Sequence, residues 1–142
     1  MPNDLADSCG VIEECYEFML AFAGQGLPGE GGGRDGRIRD FLSRAAQALT
    51  GLEDAYASAV EQQGLGPAAP YAAFQTVLAR DAQDSLVAVE LVLAQPAISS
   101  QLIDNLNASI HLRALLTDLF LIDEILKGQS QESPAGTAES AN

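Results

Sequence analysis

A chain of 142 residues with 47% apolar and 19% charged side chains has the size and balance of one globular domain, able to bury about two-thirds of its unfolded surface. Its 20 acidic residues against 7 basic ones give a formal charge of -13. Such a field repels phosphate backbones and anionic bilayers, so direct nucleic-acid binding and membrane docking are excluded from the expected functions.

The first predicted helix runs from about Asp4 to Ala23. Leu5, Cys9, Ile12, Tyr16, Met19 and Phe22 recur at three- and four-residue steps, the spacing of one buried helix face. Asn3 or Asp4 can cap it, and Gly24 and Gly26 end it. Residues 1–30 carry Asp4, Asp7, Glu13, Glu14, Glu17 and Glu30 and no Lys or Arg. Glu13, Glu14 and Glu17 cluster within one turn and form a candidate face for steering a basic partner. The plainer alternative is pairing with the arginine-rich start of the second helix. Cys9 and Cys15 on one helix are separated by about 9 Å of rise, too far for a disulfide, so two buried thiols are expected. Their apolar, acidic setting disfavours a nucleophilic thiolate. The acidic start lacks an apolar core segment, so no secretory leader is expected and cytoplasmic residence is the default.

Between the first two helices, Gly24, Gly26 and Gly29 spell G-x-G-x-x-G. The dinucleotide fingerprint requires a preceding strand, whereas here the motif comes after a helix and contains Pro28, so an inter-helix connection is expected. Arg34 and Arg37 at the start of the next helix form a candidate anion site.

The second helix, about Asp35 to Gln63, steps through Ile38, Leu42, Ala45, Leu49, Leu52, Tyr56 and Ala59 in alternating fours and threes. This heptad seam predicts near-parallel packing against neighbours. The third begins at Pro70, with Tyr71, Phe74, Leu78, Ala82, Ser85, Val89 and Leu93 on one face. Gln95-Pro96 interrupts the chain, and Ser99 or Ser100 caps the fourth helix.

That fourth predicted helix, Ser100 to Lys127, carries the largest apolar surface. Leu112, Leu115, Leu119, Ile122 and Leu126 form a stripe that Leu116, Phe120, Leu121 and Ile125 widen around most of the circumference. Such a helix needs cover on more than one side. It therefore occupies the most buried seat, forms a homodimer seam, or lines a groove for an amphipathic helix of another protein. Arg113, Asp118, Asp123 and Glu124 interrupt the apolar run, so it does not read as a membrane span. Asp104, His111 and Asp118 share a face at seven-residue steps, about 10 Å apart, beyond the reach of one ion. Ser109 and His111 lie two residues apart and point to different sides.

The expected fold is therefore all-α: an antiparallel up-down four-helix bundle over residues 1–127, with a disordered tail over 128–142. No catalytic residue, metal site or cofactor is expected. The expected function is that of a small acidic interaction protein, an adaptor, chaperone or regulator. It would act through Leu112, Leu115, Leu119, Ile122 and Leu126, as a homodimer or against an amphipathic helix or basic surface of another protein. Two alternatives belong to other classes. One is a ligand- or metal-binding bundle with a site between the first and fourth helices, using Glu13, Glu14, Glu17, Cys15 or His111. The other is an acidic nucleic-acid mimic that inhibits a partner.

Overall fold

The computed structural model describes residues 4–26 and 33–141, the side chains of 33–35 and 130–141 excepted. The described residues are all-α, in the order α1 (Leu5–Gly24), α2 (Gly33–Gln62), α3 (Ala68–Leu93), α4 (Ser100–Ala108) and α5 (Ile110–Ala141). Asp4 caps α1 through a 2.7 Å bond that its Oδ1 accepts from the Asp7 amide. Gly26 and Gly64 leave α1 and α2 with φ of 64° and 60°, the left-handed conformation that favours glycine after a helix end.

The heptad seam of α2 is buried along its length. Ile38, Leu42, Ala45, Leu49, Leu52, Tyr56 and Ala59 are all buried. On α3, Leu78, Ala82, Ser85 and Val89 turn into the same core. On α1 the buried face is Leu5, Ser8, Ile12, Cys15, Met19 and Phe22. Cys9 and Tyr16, expected on that face, are half-buried at its edge.

Neighbouring helices are tied by side chains that satisfy exposed backbone carbonyls. Arg39 of α2 donates to the carbonyls of Leu93 (3.0 Å) and Gln95 (2.6 Å), so α3 ends on a charged donor. Ser100 donates a 2.7 Å bond to the Phe22 carbonyl, joining the start of α4 to the end of α1. Ser85 donates a 3.0 Å bond to the His111 carbonyl, joining α3 to the first turn of α5. α1 packs along α2 and α4, and α3 packs along α2 and α5.

The chain departs from the expected single helix over Ser100–Lys127. Ser109 sits between α4 and α5 with φ −64° and ψ 145°, outside the helical region. Its hydroxyl accepts a 3.3 Å bond from the Leu112 amide, so Ser109 caps the new helix as it ends the old one. Serine competes for backbone partners in this way, and a periodicity argument does not register it. One consequence is that Ile110, the first residue of α5, is exposed. The bounds of α5 extend to Ala141.

Candidate functional site

At the end of the molecule where α2 passes into α3, the helices do not close on one another. An open apolar cavity of about 370 Å³ lies there. Its floor comes from Leu5, Ala59 and Ile122, which are core residues. Its walls are aromatic on one side, from Tyr56, Tyr71 and Phe74, and aliphatic on the other, from Leu121, Ile125 and Leu126. The Leu65-Gly66-Pro67 connection and Pro70 form the rim.

Local sequence explains why this space stays open. Tyr56 lies near the end of the buried seam of α2, one step before Ala59, and its hydroxyl donates a 2.8 Å bond to the Tyr71 carbonyl, pinning the first turn of α3. A helix carbonyl has a second lone pair beyond the one that the helix bond uses, and the phenol takes it. Burial, then the neighbouring Tyr71, pushes the Tyr56 hydroxyl above its ordinary titration range, so it stays a donor at any physiological pH. The Tyr56 and Phe74 rings meet at 6.0 Å between centroids in a tilted arrangement.

A second cavity of about 460 Å³ adjoins the first and shares Leu5, Ala59 and Leu126 with it. Its character differs. Asp4, Asp54, Ser58, Gln62 and Gln63 line it, and both carboxylates are on exposed residues. The two together make one groove with an apolar half and an acidic half.

The charge around the groove has a clear origin. No Lys or Arg occurs from residue 1 to 33 or from 45 to 79, the stretches that supply α1 and the α2–α3 turn. Lys127, on the α5 side, is paired with Asp123 at 3.4 Å. Arg37, Arg39 and Arg44 of α2 lie toward the opposite end of that helix. Phe18 and Phe41 stack there at 4.3 Å, with Arg37 5.2 Å above Phe18 and Arg44 4.5 Å above Phe41. The basic start of α2 thus engages the aromatic seam with α1 through cation–π contacts.

A second unusual place lies between α3 and α5. Asp118 is buried, at 6% exposure, with Oδ2 unpartnered. Burial pushes its carboxyl up to about 7, and a hydrogen bond and the like charge from Asp81 of α3 act in the same direction.

Of the residues singled out from sequence, Leu112, Leu115, Leu119 and Ile122 are buried within the chain itself, and Leu126 is half-buried against them. The apolar residues that α5 leaves exposed are Ile110, Phe120, Leu121 and Ile125. Glu14 and Glu17 are exposed, and Glu13 is half-buried. Burial, Asp123 and Glu17 push the Glu13 carboxyl up, while Lys127 pulls it down. The side chain of Arg34 lies outside the described residues, and Arg37 is engaged with Phe18.

Cys9 and Cys15 are free thiols. Burial is the largest cause pushing each up to about 12; Glu13, Asp123 and Asp4 add to it for Cys9, while Arg44 opposes it for Cys15. Both are protonated and unreactive in the folded chain. Between α1 and α5, the space bounded by Ile12, Cys15, Tyr16, Met19, Leu112 and Leu116 is about 10 Å³, room for one water at most. Among the described residues, no three of His, Cys, Asp and Glu come together as a metal-holding group. No described helix is long and apolar enough to cross a membrane.

The groove residues that periodicity missed are Tyr56, Val60 and Leu65. Tyr56 reads as one more seam position, and only the geometry of the adjoining turn reveals that its ring faces an opening. No family model, curated protein or solved structure matches this chain.

Proposed function

We propose that the protein is a non-enzymatic binding module, an acidic helical adaptor, chaperone or regulator, that seats an apolar helical segment of another protein in this groove. One observation carries the reading. Leu121 and Ile125, two of the exposed large apolar residues of α5, converge with Tyr56, Tyr71 and Phe74 on the same open space. A groove walled by helices suits an amphipathic helix, whose anchors recur every three or four residues. The interface expected from sequence thereby moves around α5, from the Leu115–Leu119 stripe to the Leu121–Ile125 edge.

In this reading α4 and α5 share one bent seat, giving an up-down-up-down bundle over residues 1–127. Contacts of α4 with α1 and of α5 with α3 support it. Residues 128–142 are then an extension outside the core, since they contain no large apolar side chain. A reducing compartment such as the cytoplasm suits two unbridged thiols.

The test is a titration with a designed amphipathic helical peptide, monitored by backbone-amide NMR. Shifts should concentrate in Tyr56–Phe74 and Leu121–Leu126, and Ala59→Phe, which fills the floor, should abolish them while the helical signal is retained. Shifts scattered over the surface, or unaffected by Ala59→Phe, would reject the groove.

A second reading, self-association, draws on a different patch. Leu91 and Ile110 are 66% and 75% exposed, and the Ser85–His111 bond brings this part of α3 beside the start of α5. Apolar side chains exposed to that degree on neighbouring helices favour contact with a second copy. Sedimentation of the unmodified protein and of Leu91→Glu decides it: a dimer converted to a monomer supports the seam, and a monomer in both cases refutes it.

A further inference from the structure

The two halves of the groove differ in a way that constrains what fits and in which direction. The apolar half offers little to orient a small polar ligand, because the Tyr56 hydroxyl is already spent on the Tyr71 carbonyl. A small-molecule site needs a few placed polar groups among its apolar walls. The described residues form no strand, so there is no sheet edge to which an extended peptide could add. A helix with an apolar face remains the occupant that the walls can hold.

The acidic half then sets its polarity. Asp4, which uses Oδ1 to cap α1, and Asp54 of α2 are both exposed and both line this half. The sequence around the turn supplies no Lys or Arg to neutralise them. The arginines Arg37, Arg39 and Arg44 are committed at the other end, to Phe18, to the end of α3 and to Phe41. An occupant with a cation over this half gains attraction at the surface and faster encounter with a chain of charge -13. An acidic or phosphate-bearing occupant is repelled.

We infer that the groove takes an amphipathic helix in one orientation, its apolar face against Tyr56, Tyr71 and Phe74 and its Lys- or Arg-bearing end over Asp4 and Asp54. This rests on the groove being a helix-binding site and adds the chemistry and direction of the partner.

The experiment uses the full chain and two helical peptides with identical apolar faces, one ending in a lysine-bearing turn and the other with those lysines replaced by glutamine. The protein variant is Asp4→Asn with Asp54→Asn; asparagine preserves the cap of α1, so the fold is retained. At low salt the double variant should weaken the lysine peptide by about tenfold and leave the glutamine peptide unchanged. A spin label on the lysine end should broaden the amides of Asp4–Ala6 and Asp54–Gln63. On the other end it should broaden those of Leu65–Phe74.

Equal weakening of both peptides, no weakening, or reversed broadening would overturn the polarity while leaving the groove standing. Failure of both peptides to bind would overturn the groove itself, and so would self-association of the unmodified protein blocked by Ala59→Phe, which would assign the space to a second copy.

Discussion

Two neighbouring residues of α5 show how sharply side-chain role changes over one position. Leu119 is fully buried, whereas Phe120 is 58% exposed. Leu119→Glu places an unpaired carboxylate in the core and should unfold the protein at room temperature, because such a charge costs several kcal/mol even after relaxation. Phe120→Glu should leave the helical circular dichroism unchanged and shift the melting temperature by only a degree or two. Hydrophobic spacing put Leu119 on the main stripe and Phe120 among the residues that widen it, and for this pair burial follows that division. Asp118 was legible as a polar interruption sharing a face with Asp104 and His111, whereas its carboxyl neighbour Asp81 on α3 is a product of the fold. Its titration near 7 in the folded chain, against 3.8 as an ordinary carboxyl, means that the native state binds more protons than the unfolded one in this interval. Stability therefore falls as pH rises from about 4 to about 7, and the cost is complete above that. Asp118→Asn removes it. Thermal melts should show the variant gaining on the parent protein far more at pH 8 than at pH 4; an equal gain at both would contradict the linkage.

At the scale of elements, α1, α2 and α3 were largely readable. The heptad seam of α2 is a strong local signal, and burial tracks it residue by residue, whereas α3 begins at Ala68, two residues ahead of the Pro70 expected to start it, with an extended Pro67 at its N-cap. The break at Ser109 was hidden because the flanking periodicities join almost in phase across it. Its physical cause is the serine side chain together with the carbonyl it frees: the Ser109 amide closes back on Leu106 at 3.1 Å while the Arg113 amide reaches the Ser109 carbonyl at 3.1 Å. Directly before the break, Asn107 is buried with neither amide atom partnered, which marks this joint as a costly piece of the chain. Ser109→Ala removes the cap of α5 and should lower stability by about 1 kcal/mol, read from urea unfolding. Amide exchange should quicken first at Leu112 and Arg113, the turn that the cap secures. The groove was the least legible element, since its walls come from three helices and a connection that meet only after packing.

For the whole molecule, the uneven distribution of charge is already present in the sequence, but its arrangement along the long axis becomes visible only when the start of α1 is set beside the α2–α3 turn. Self-repulsion among the 20 acidic residues opposes compaction. Raising NaCl from low to physiological concentration should therefore raise the melting temperature, with most of the gain complete once the screening length falls to about 10 Å. The same addition should weaken the lysine peptide, so salt separates the fold from its proposed interaction. One tie has a further consequence for how the chain matures. The Ser100–Phe22 bond joins residues 78 apart in sequence, and α4 packs on α1 while α5 packs on α3. During synthesis α1, α2 and α3 emerge with one flank of α1 bare, and assembly waits for the last third of the polypeptide to leave the ribosome. A chain arrested near residue 95 thus presents an unfinished apolar cleft, an exposed intermediate that a holding chaperone would recognise.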